Sequence, residues 1–356
     1  MGLLKSLFAK KDDTKKVQEV AAPEERTVSV SKSIIQELIM ISLAEKYKVG
    51  ESKYPDYIRS EYGIGFPGEA FASLEKKGYI RQSTAKEALP NLKVTELKTV
   101  AYNNGLKVSG KKEDLCIKIA ENVSEEDLAQ HITERYWKVT EKGEKLLKEN
   151  PYIGFYLEKH EYNLRNIGLD VFSFSKLYEK PQKVLVRDRL WGEFNRLSVE
   201  FYSKGMSKGD FYNYCALLHI MALFLKEEGK YKDALAQYMR YLHYRANFMA
   251  GLAALKYYDA LGSVDNAAGV LKDGAEIMPF TAQEIIDISN GAGFDSSQLR
   301  SFMMEAFSKD EDTGVFTPKE LTELMMLGLN GDREGQKEIC LKAMKVAVKK
   351  MPKKRR

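Results

Sequence analysis

Several side chains in this sequence are of types that do acid–base or metal chemistry, but their spacing matches no known catalytic pattern. The four histidines are scattered, and none has a cysteine or acid at metal-ligand spacing: His131, His160, His219 and His243. The glycine-rich segment 63–68 lacks the lysine and the strand–loop–helix context of a phosphate-binding loop. We therefore predict that the protein is not an enzyme and has no cofactor or metal. The alternative is a hydrolase or nuclease whose carboxylates meet only in the folded chain.

The most specific pattern in the chain is a helix, an extended loop and a second helix between residues 92 and 119. Thr95 is placed to cap the first helix, Gly105 to end it, and Ser109-Gly110 to make a tight turn into the second. The apolar positions that pack the two helices together are Leu97, Val100, Leu115 and Ile119. This order and spacing closely resemble the SAP motif.

The resemblance to SAP domains implies DNA binding through the start of the second helix and the lysines near it. The matching positions are Lys98, Lys107, Ser109, Gly110, Lys111 and Lys112. Amides at a helix N-terminus attract phosphate, and lysines add a salt-dependent attraction that reads no bases. Residues 92–123 contain six lysines and four acids, so their net charge is only +2. An insert that contacts protein or acts as a spacer is therefore the alternative.

Elements that resemble a winged helix-turn-helix flank this motif. A capping pattern from Ser33 to Gln36 predicts where the first helix begins, and two further helices and a strand follow by residue 81. The second wing strand and the long helix after it match residues 136–147, so the SAP-like motif lies inside the wing. We predict a winged-helix-like domain over 31–150 with the insert at 88–125.

The helix predicted over 67–77 would be the recognition helix of such a domain. It presents Glu69, Ser73 and Glu75 before its two lysines. Phosphates repel carboxylates, although a glutamate can accept a hydrogen bond from cytosine. A scaffold that presents the insert is therefore favoured over a reader of bases.

Residues 151–345 are predicted to form a C-terminal helical domain. Its first part is rich in aromatic residues, whose scattered spacing favours core packing over base stacking. Residues 217–242 resemble one tetratricopeptide unit, with Gly229 at the turn and Ala234 at the close helix contact, and 252–278 resemble a weaker second unit. Because stable solenoids normally need three units, partner binding and simple helical packing are equal alternatives.

The charge of the chain is uneven. The net charge is +5, but residues 337–356 contain nine Lys or Arg and one acid, so this stretch carries +8 and the remainder −3. Any attraction to DNA is therefore local. The basic tail at 346–356 either contacts DNA or another polyanion, resembles a nuclear-localisation patch, or is a solvated helix end whose lysines suit the helix dipole.

The composition also bears on the compartment. Residues 1–30 form a polar leader of mixed charge that we expect to be disordered. No run approaches the ~18 apolar residues of a membrane span, and no secretory signal is present. The three cysteines fit neither a disulfide framework nor a zinc site: Cys116, Cys215 and Cys340. We expect a cytoplasmic protein that contacts no membrane.

These patterns together predict a mainly α protein: a winged-helix-like domain with a SAP-like insert, and a domain of tetratricopeptide-like α-helical hairpins. The architecture resembles phage or prophage proteins that carry a lone SAP motif. The leading hypothesis is a non-catalytic DNA-binding adaptor, with weak, largely sequence-independent backbone contacts by the insert and an unidentified protein partner on the helical domain. The alternative is a protein–protein interaction scaffold without DNA binding. Neither function involves a small-molecule substrate.

Overall fold

The computed structural model describes residues 31–159, 162–178, 185–277, 279–309 and 314–351. The leader at 1–30 and residues 352–356 of the basic tail lie outside the described residues. The prediction of a mainly α protein is confirmed. The chain divides into two compact units. Of the described residues, the first unit contains 31–159, 168–178 and 185–186, and the second contains 162–167 and 187–351.

In its described residues, the first unit combines helices with one pair of short strands. It begins with α1 (Lys32–Leu43), a 3-10 helix (Ala44–Lys46), α2 (Asp56–Tyr62), α3 (Pro67–Lys76) and β1 (Ile80–Gln82). Next come α4 (Ala85–Ala88), a 3-10 helix (Leu89–Asn91), α5 (Val94–Asn103), α6 (Lys112–Asn122) and α7 (Glu125–His131). The unit continues with β2 (Trp137–Val139), α8 (Glu141–Glu149), α9 (Pro151–Glu158) and α10 (Val171–Lys176).

Helix α1 is central to the core of the first unit. Leu38, Ile39 and Ile41 are fully buried, and the helix packs against α3, α8, α9 and α10. A helix that is apolar on most of its circumference is stable only when neighbours cover it on several sides.

The start of α1 differs from the capping pattern that the sequence suggested. Ser31 is the N-cap, and its side chain accepts a hydrogen bond from the amide of Ile34. The predicted cap at Ser33 is therefore wrong. Gln36, which would complete that capping box, donates instead to the carbonyls of Tyr62 and Gly63, at 2.9 and 3.0 Å. The side chain of Gln36 therefore binds the end of α2 and does not form a capping box with Ser33.

The two strands are antiparallel and lie far apart in sequence. Ile80 pairs with Val139 and Gln82 with Trp137, so residues 83–136 leave the sheet and return to it at one edge. An isolated bridge between Lys48 and Tyr136 adds a third segment beside β2. The segment between the strands is long enough to form a body of its own.

The boundary between the units lies beyond the 150/151 junction suggested by sequence. Helix α9 packs on α1 and α8, and its Ile153 is fully buried. Helix α10 joins this core through Phe174, whose ring centroid lies 5.2 Å from that of Tyr156. These two helices, assigned by sequence to the C-terminal domain, therefore belong to the first unit.

The second unit is built of helices throughout its described residues. It contains a 3-10 helix (Leu164–Ile167), α11 (Val186–Lys208), α12 (Tyr212–Glu227), α13 (Tyr231–His243), a π-helix (Tyr244–Ala250), α14 (Gly251–Lys256) and α15 (Tyr258–Leu261). It continues with α16 (Val264–Ala275), α17 (Pro279–Gly291), α18 (Ser296–Ser308), α19 (Pro318–Leu329) and α20 (Arg333–Lys350).

The core of the second unit is organised around two helix pairs. Helices α12 and α13 form a hairpin that turns at Gly229, whose φ of +70° favours glycine. Leu235 and Met239 of α13 are fully buried against neighbouring helices. Helix α16 packs on α20 and on the π-helix, which places Cys340 and Met344 of α20 in the same core.

Candidate nucleic-acid interface

The SAP-like motif lies in a body that is closed at its base by Ser83 and Tyr136. The amide of Ser83 donates to the carbonyl of Tyr136 at 2.8 Å, and the amide of Tyr136 donates to Oγ of Ser83 at 3.1 Å. Ser83 is buried, so these bonds form out of solvent. They extend the β1–β2 pairing by one step and bring together the two ends of the segment 83–136, which contains the predicted 88–125 and is hereafter called the insert.

Glu125 fastens the first helix of the insert to the last. Its carboxylate, at the start of α7, accepts hydrogen bonds from the amides of Ala85 and Lys86 at the start of α4. Burial raises the pKa of Glu125, but these amide hydrogen bonds outweigh burial and hold the pKa below its ordinary value. The ionised carboxylate is therefore the form that holds α4 and α7 together.

A second carboxylate joins the insert to the wing strand. Arg81 of β1 donates to both oxygens of Glu87 in α4, at 2.7 and 2.6 Å. The hydrogen bond from Arg81 is the largest cause that lowers the pKa of Glu87 to about 2. Thr84 completes the junction, because Thr84 and Glu87 form a capping box at the start of α4. The insert is therefore tied to the sheet by side chains as well as by backbone.

The insert has a hydrophobic core of its own. Leu97 and Ala101 of α5 and Leu115 and Ile119 of α6 are fully buried in one cluster. Leu128 of α7 is buried in the same cluster. The packing of α5 on α6 uses the apolar positions predicted from the sequence, so the two helices hold the loop between them.

Two glycines shape the loop that joins α5 to α6. Gly105 has a φ of +69° and follows the end of α5, as the sequence predicted. Gly110 has a φ of +129°, a conformation that L-residues rarely adopt. A Cβ at Gly110 would also lie 3.3 Å from Cβ of Asp114. The chain direction into α6 therefore depends on glycine at position 110.

Lys118 ties this loop to α6. Its ammonium donates to the carbonyls of Lys107 and Ser109, at 3.3 and 3.5 Å. A lysine donates up to three hydrogen bonds, so one side chain can restrain two loop residues. Lys107 and Ser109 themselves remain exposed.

The first turn of α6 carries both lysines and acids. The N-cap is Lys111, directly after the predicted turn at Ser109-Gly110, and the amide of Lys111 donates to a carboxylate oxygen of Asp114 at 3.2 Å. An ammonium has no acceptor, so capping by Lys111 is limited to this backbone bond. Glu113 and Asp114 lie in the same turn and reduce its attraction for phosphate.

The cap at the start of α5 differs from the prediction. The helix begins at Val94 with Lys93 as N-cap, and the amide of Lys93 donates to Glu96 at 2.6 Å. Thr95 lies inside the first turn, so its predicted role as the cap is wrong. The side chain of Glu96 reaches back three residues and accepts the hydrogen bond from the amide of Lys93, which is exposed at this end of the helix.

The predicted DNA-binding residues lie on three parts of the insert. Lys98 is exposed on α5, Lys107, Ser109 and Gly110 are exposed in the loop, Lys111 is exposed at the cap of α6, and Lys112 is half-buried in its first turn. The structure therefore brings Lys107 and Ser109 together at the ammonium of Lys118. Lys98 lies on a different element from the other five.

Three residues of the insert were left out by sequence reasoning: Lys118, Tyr102 and Ile117. Lys118 organises the loop, and its position one turn before the end of α6 gives no signal of the contacts it makes. Tyr102 is 77% exposed near the end of α5, one turn after Lys98. Ile117 of α6 is 58% exposed. Tyr102 and Ile117 do not follow the apolar spacing of their helices, and this departure is the sequence feature that could have indicated their exposure.

Helix α3 contributes little positive charge. Glu69 and Ser73 are exposed, and Glu75 accepts a hydrogen bond from Gln82 at 3.2 Å. Lys77, which follows the helix, pairs with Glu37 of α1 at 2.6 Å. A groove of about 390 Å³ between α1 and α3 is lined by Glu37 and Glu69 among others. A phosphate backbone would meet carboxylates on this side.

The described residues were also compared with the requirements of a metal site and of a dinucleotide-binding loop. Within them, no group of three or more His, Cys, Asp or Glu side chains is arranged to hold a metal ion. Gly63, Gly65 and Gly68 have the spacing of a dinucleotide-binding loop, but the helix α2 precedes them where that loop requires a strand. His160 lies outside the described residues. No helix in the part of the chain that is described is long and apolar enough to cross a membrane.

Comparison of the chain with protein-family models, with curated proteins and with solved structures finds no match.

Proposed function

We propose that this protein is a non-catalytic adaptor that binds duplex DNA weakly, with little sequence preference, through its SAP-like insert. The observation that carries the proposal is the loop between α5 and α6. Lys118 restrains it at two carbonyls, while Lys107, Ser109 and Lys111 remain exposed beside the first turn of α6. A restrained loop loses less conformational entropy on binding, so a few phosphate contacts suffice for measurable affinity.

The finer description of the fold supports this proposal. Three helices followed by two antiparallel strands are the elements of a winged helix, and the insert lies between the strands. The α12–α13 hairpin has Gly229 at its turn and a buried Ala234, which are features of a tetratricopeptide unit. We assign the role of holding a protein partner to this second unit. We place the chain with phage or prophage proteins that carry a lone SAP motif, and in the cytoplasm.

The chemistry predicts binding that depends on salt and not on base sequence. The amides of the first helical turn have no partner within the helix, and they attract phosphate together with Lys111 and Lys112. Glu113 and Asp114 in that turn limit the affinity. Each phosphate contact contributes about −0.9 to the slope of log K against log salt.

The direct test measures fluorescence anisotropy of a labelled AT-rich duplex over a salt series, for the wild type and for Lys111→Glu/Lys112→Glu. We expect wild-type affinity to fall with salt. We expect the double variant to lose at least about tenfold in affinity at low salt and about 2 in slope, because two phosphate contacts are replaced by repulsion.

A matched control is Lys145→Glu/Lys148→Glu on α8, which changes the net charge equally at two exposed lysines outside the insert. This control should bind nearly as the wild type does, since the Lys148–Glu144 pair that it breaks is exposed and worth little. Equal losses in both double variants would sink the assignment of the site to the insert.

A protein–protein interaction scaffold is the second candidate, and one observation favours it. Tyr102 and Ile117 expose 77% and 58% of their surface on the two helices of the insert. Exposed aromatic and apolar side chains are typical anchors of protein interfaces. A wild-type chain that does not bind the duplex even at low salt would favour this candidate over the adaptor.

A further inference from the structure

Helix α20 carries a concentration of positive charge that the insert does not explain. Its last twelve residues, 339–350, contain four lysines and no acid: Lys342, Lys345, Lys349 and Lys350. The acids of the helix, Glu334 and Glu338, lie in its first half. The second half therefore presents a field of one sign.

The structure decides which way these lysines face. All four are exposed, and Val346 between them is 50% exposed. The opposite side of the helix is buried, with Cys340, Ala343 and Met344 in the core of the second unit. Spacings of three, four and seven residues place Lys342, Lys345 and Lys349 on one face of a helix. These three and Lys350, which follows Lys342 by eight residues, form a stripe along the exposed side of the helix, hereafter the α20 stripe.

Within the described part of the chain, Lys342, Lys345 and Lys350 make no ion pair. The helix itself is firmly placed, because Asp332 caps it by accepting from the amide of Gly335 at 2.9 Å, and buried Gln336 donates to the carbonyl of Leu324 at 3.2 Å. The charges are therefore held by a rigid element.

We infer that the α20 stripe is a second contact surface for the phosphate backbone of duplex DNA. Eight residues of helix separate Lys342 from Lys350, which is about 12 Å at 1.5 Å per residue. One strand of a duplex carries a charge about every 3.4 Å along its axis, so the stripe spans about three phosphates. Lysines act as point charges and read no bases, in keeping with backbone contact.

A lipid surface fits this helix less well than a nucleic acid. An interfacial helix must bury an apolar face in the membrane. The apolar face of α20 is already buried against α16 and α19, and Val346 is the apolar residue that remains exposed among the lysines. The inference is separate from the insert and depends on the proposed function only for the choice of duplex DNA as the polyanion.

The test compares full-length wild type with Lys342→Gln/Lys345→Gln/Lys350→Gln in the same anisotropy titration on the AT-rich duplex. We expect the triple variant to bind at least about fivefold more weakly at low salt. We expect its slope against log salt to fall by up to about 3, since three phosphate contacts are removed. The substitutions are at exposed positions, and far-UV circular dichroism verifies that the helix content is unchanged.

The control is Lys204→Gln/Lys208→Gln/Lys319→Gln, which removes the same charge at exposed lysines of α11 and α19. Equal weakening in both triple variants would reduce the effect to net charge and overturn the inference. Competition by polyglutamate as effective per charge as the duplex would overturn the choice of DNA.

The insert variant separates this inference from the proposed function. Loss in the α20 variant with no loss in Lys111→Glu/Lys112→Glu supports the stripe and rejects the insert as a site. The reverse result overturns the stripe and leaves the proposed function standing. Losses in both variants, exceeded by their combination, support two sites on one chain.

Discussion

At the scale of single residues, the loop of the insert is held in place by the ammonium group of one lysine. Lys118 of α6 donates to the carbonyls of Lys107 and Ser109, and it is half-buried, whereas Lys107 and Lys111 are exposed. We regard it as a positioning residue, because it acts on DNA through the loop that it holds.

Replacing Lys118 with methionine removes both loop hydrogen bonds and keeps most of the side-chain volume. We expect Lys118→Met to weaken duplex binding by about three- to tenfold, because the loop must then be ordered on binding. Faster amide hydrogen exchange in residues 106–110 should accompany the loss, a readout that charge removal alone does not move.

Lys93→Met is the control for Lys118→Met, since it removes one exposed lysine from the same insert. It should lower the affinity less and leave loop exchange unchanged. If both variants weaken binding equally with the loop still protected, Lys118 contributes only charge.

At the scale of elements, the approach of α8 to the turn before β1 holds the wing together. The hydroxyl of Thr140, the N-cap of α8, donates to the carbonyl of Gly78 at 2.7 Å and accepts from the amide of Gly143 at 3.2 Å. A Cβ at Gly143 would lie 2.2 Å from the carbonyl oxygen of Tyr79. Backbone therefore meets backbone here, and only glycine fits.

The substitution Gly143→Ala should destabilise the first unit by about 1–3 kcal/mol, as expected for overpacking against backbone that has to move. Gly154→Ala on α9 is the matched control, because nothing lies within 4 Å of its added Cβ. It should be neutral or stabilise by up to about 1 kcal/mol, since alanine favours a helix over glycine. Urea unfolding monitored by tryptophan fluorescence measures both. A neutral Gly143→Ala would contradict the close approach.

At the scale of the whole molecule, a buried carboxylate links stability to pH. Glu284 of α17 accepts a hydrogen bond from Tyr238 of α13 at 2.6 Å and lies 3.2 Å from Nε2 of His219 in α12. Burial raises the pKa of Glu284, but the hydrogen bonds from His219 and Tyr238 outweigh it and keep the pKa below its ordinary value. One side chain thus ties three helices together.

Because the pKa of Glu284 is lower in the folded chain, its stabilising effect is complete above the unfolded value of about 4.3. The effect is lost as the pH falls through the lowered value. We expect Glu284→Gln to lower the free energy of unfolding by about 1–3 kcal/mol at pH 7, since a charge-assisted acceptor is lost. The difference from wild type should shrink below about pH 4.

Urea unfolding at a series of pH values measures this difference. Asp287→Asn, on the same helix with a half-exposed side chain 3.9 Å from Lys226, is the control and should change stability little. A loss in Glu284→Gln that stays constant from pH 7 to pH 3 would show that the ionised form is not what stabilises the unit.

Much of the helical structure could be predicted because its signals are local. Pro67 at the start of α3, Gly63 after α2 and Thr140 before α8 act through their own backbone geometry or through neighbours within a turn. The apolar spacing of α5 and α6 likewise indicated the sides that meet in the insert. At α1, where Ser33 and Gln36 match a capping box, local rules gave the wrong cap, because Gln36 is held by the end of α2.

By itself, the sequence determined that the chain is mainly helical, because helix periodicity, caps and glycine stops are read within a few turns. Only the tertiary structure decided which core α9 joins, which loop carbonyls Lys118 holds, and that the lysines of α20 face solvent. The same limit applies to Glu284, whose partners lie 46 and 65 residues away. Apolar spacing tells a helix which side to bury, but the neighbour that covers that side is chosen by the packing of distant segments.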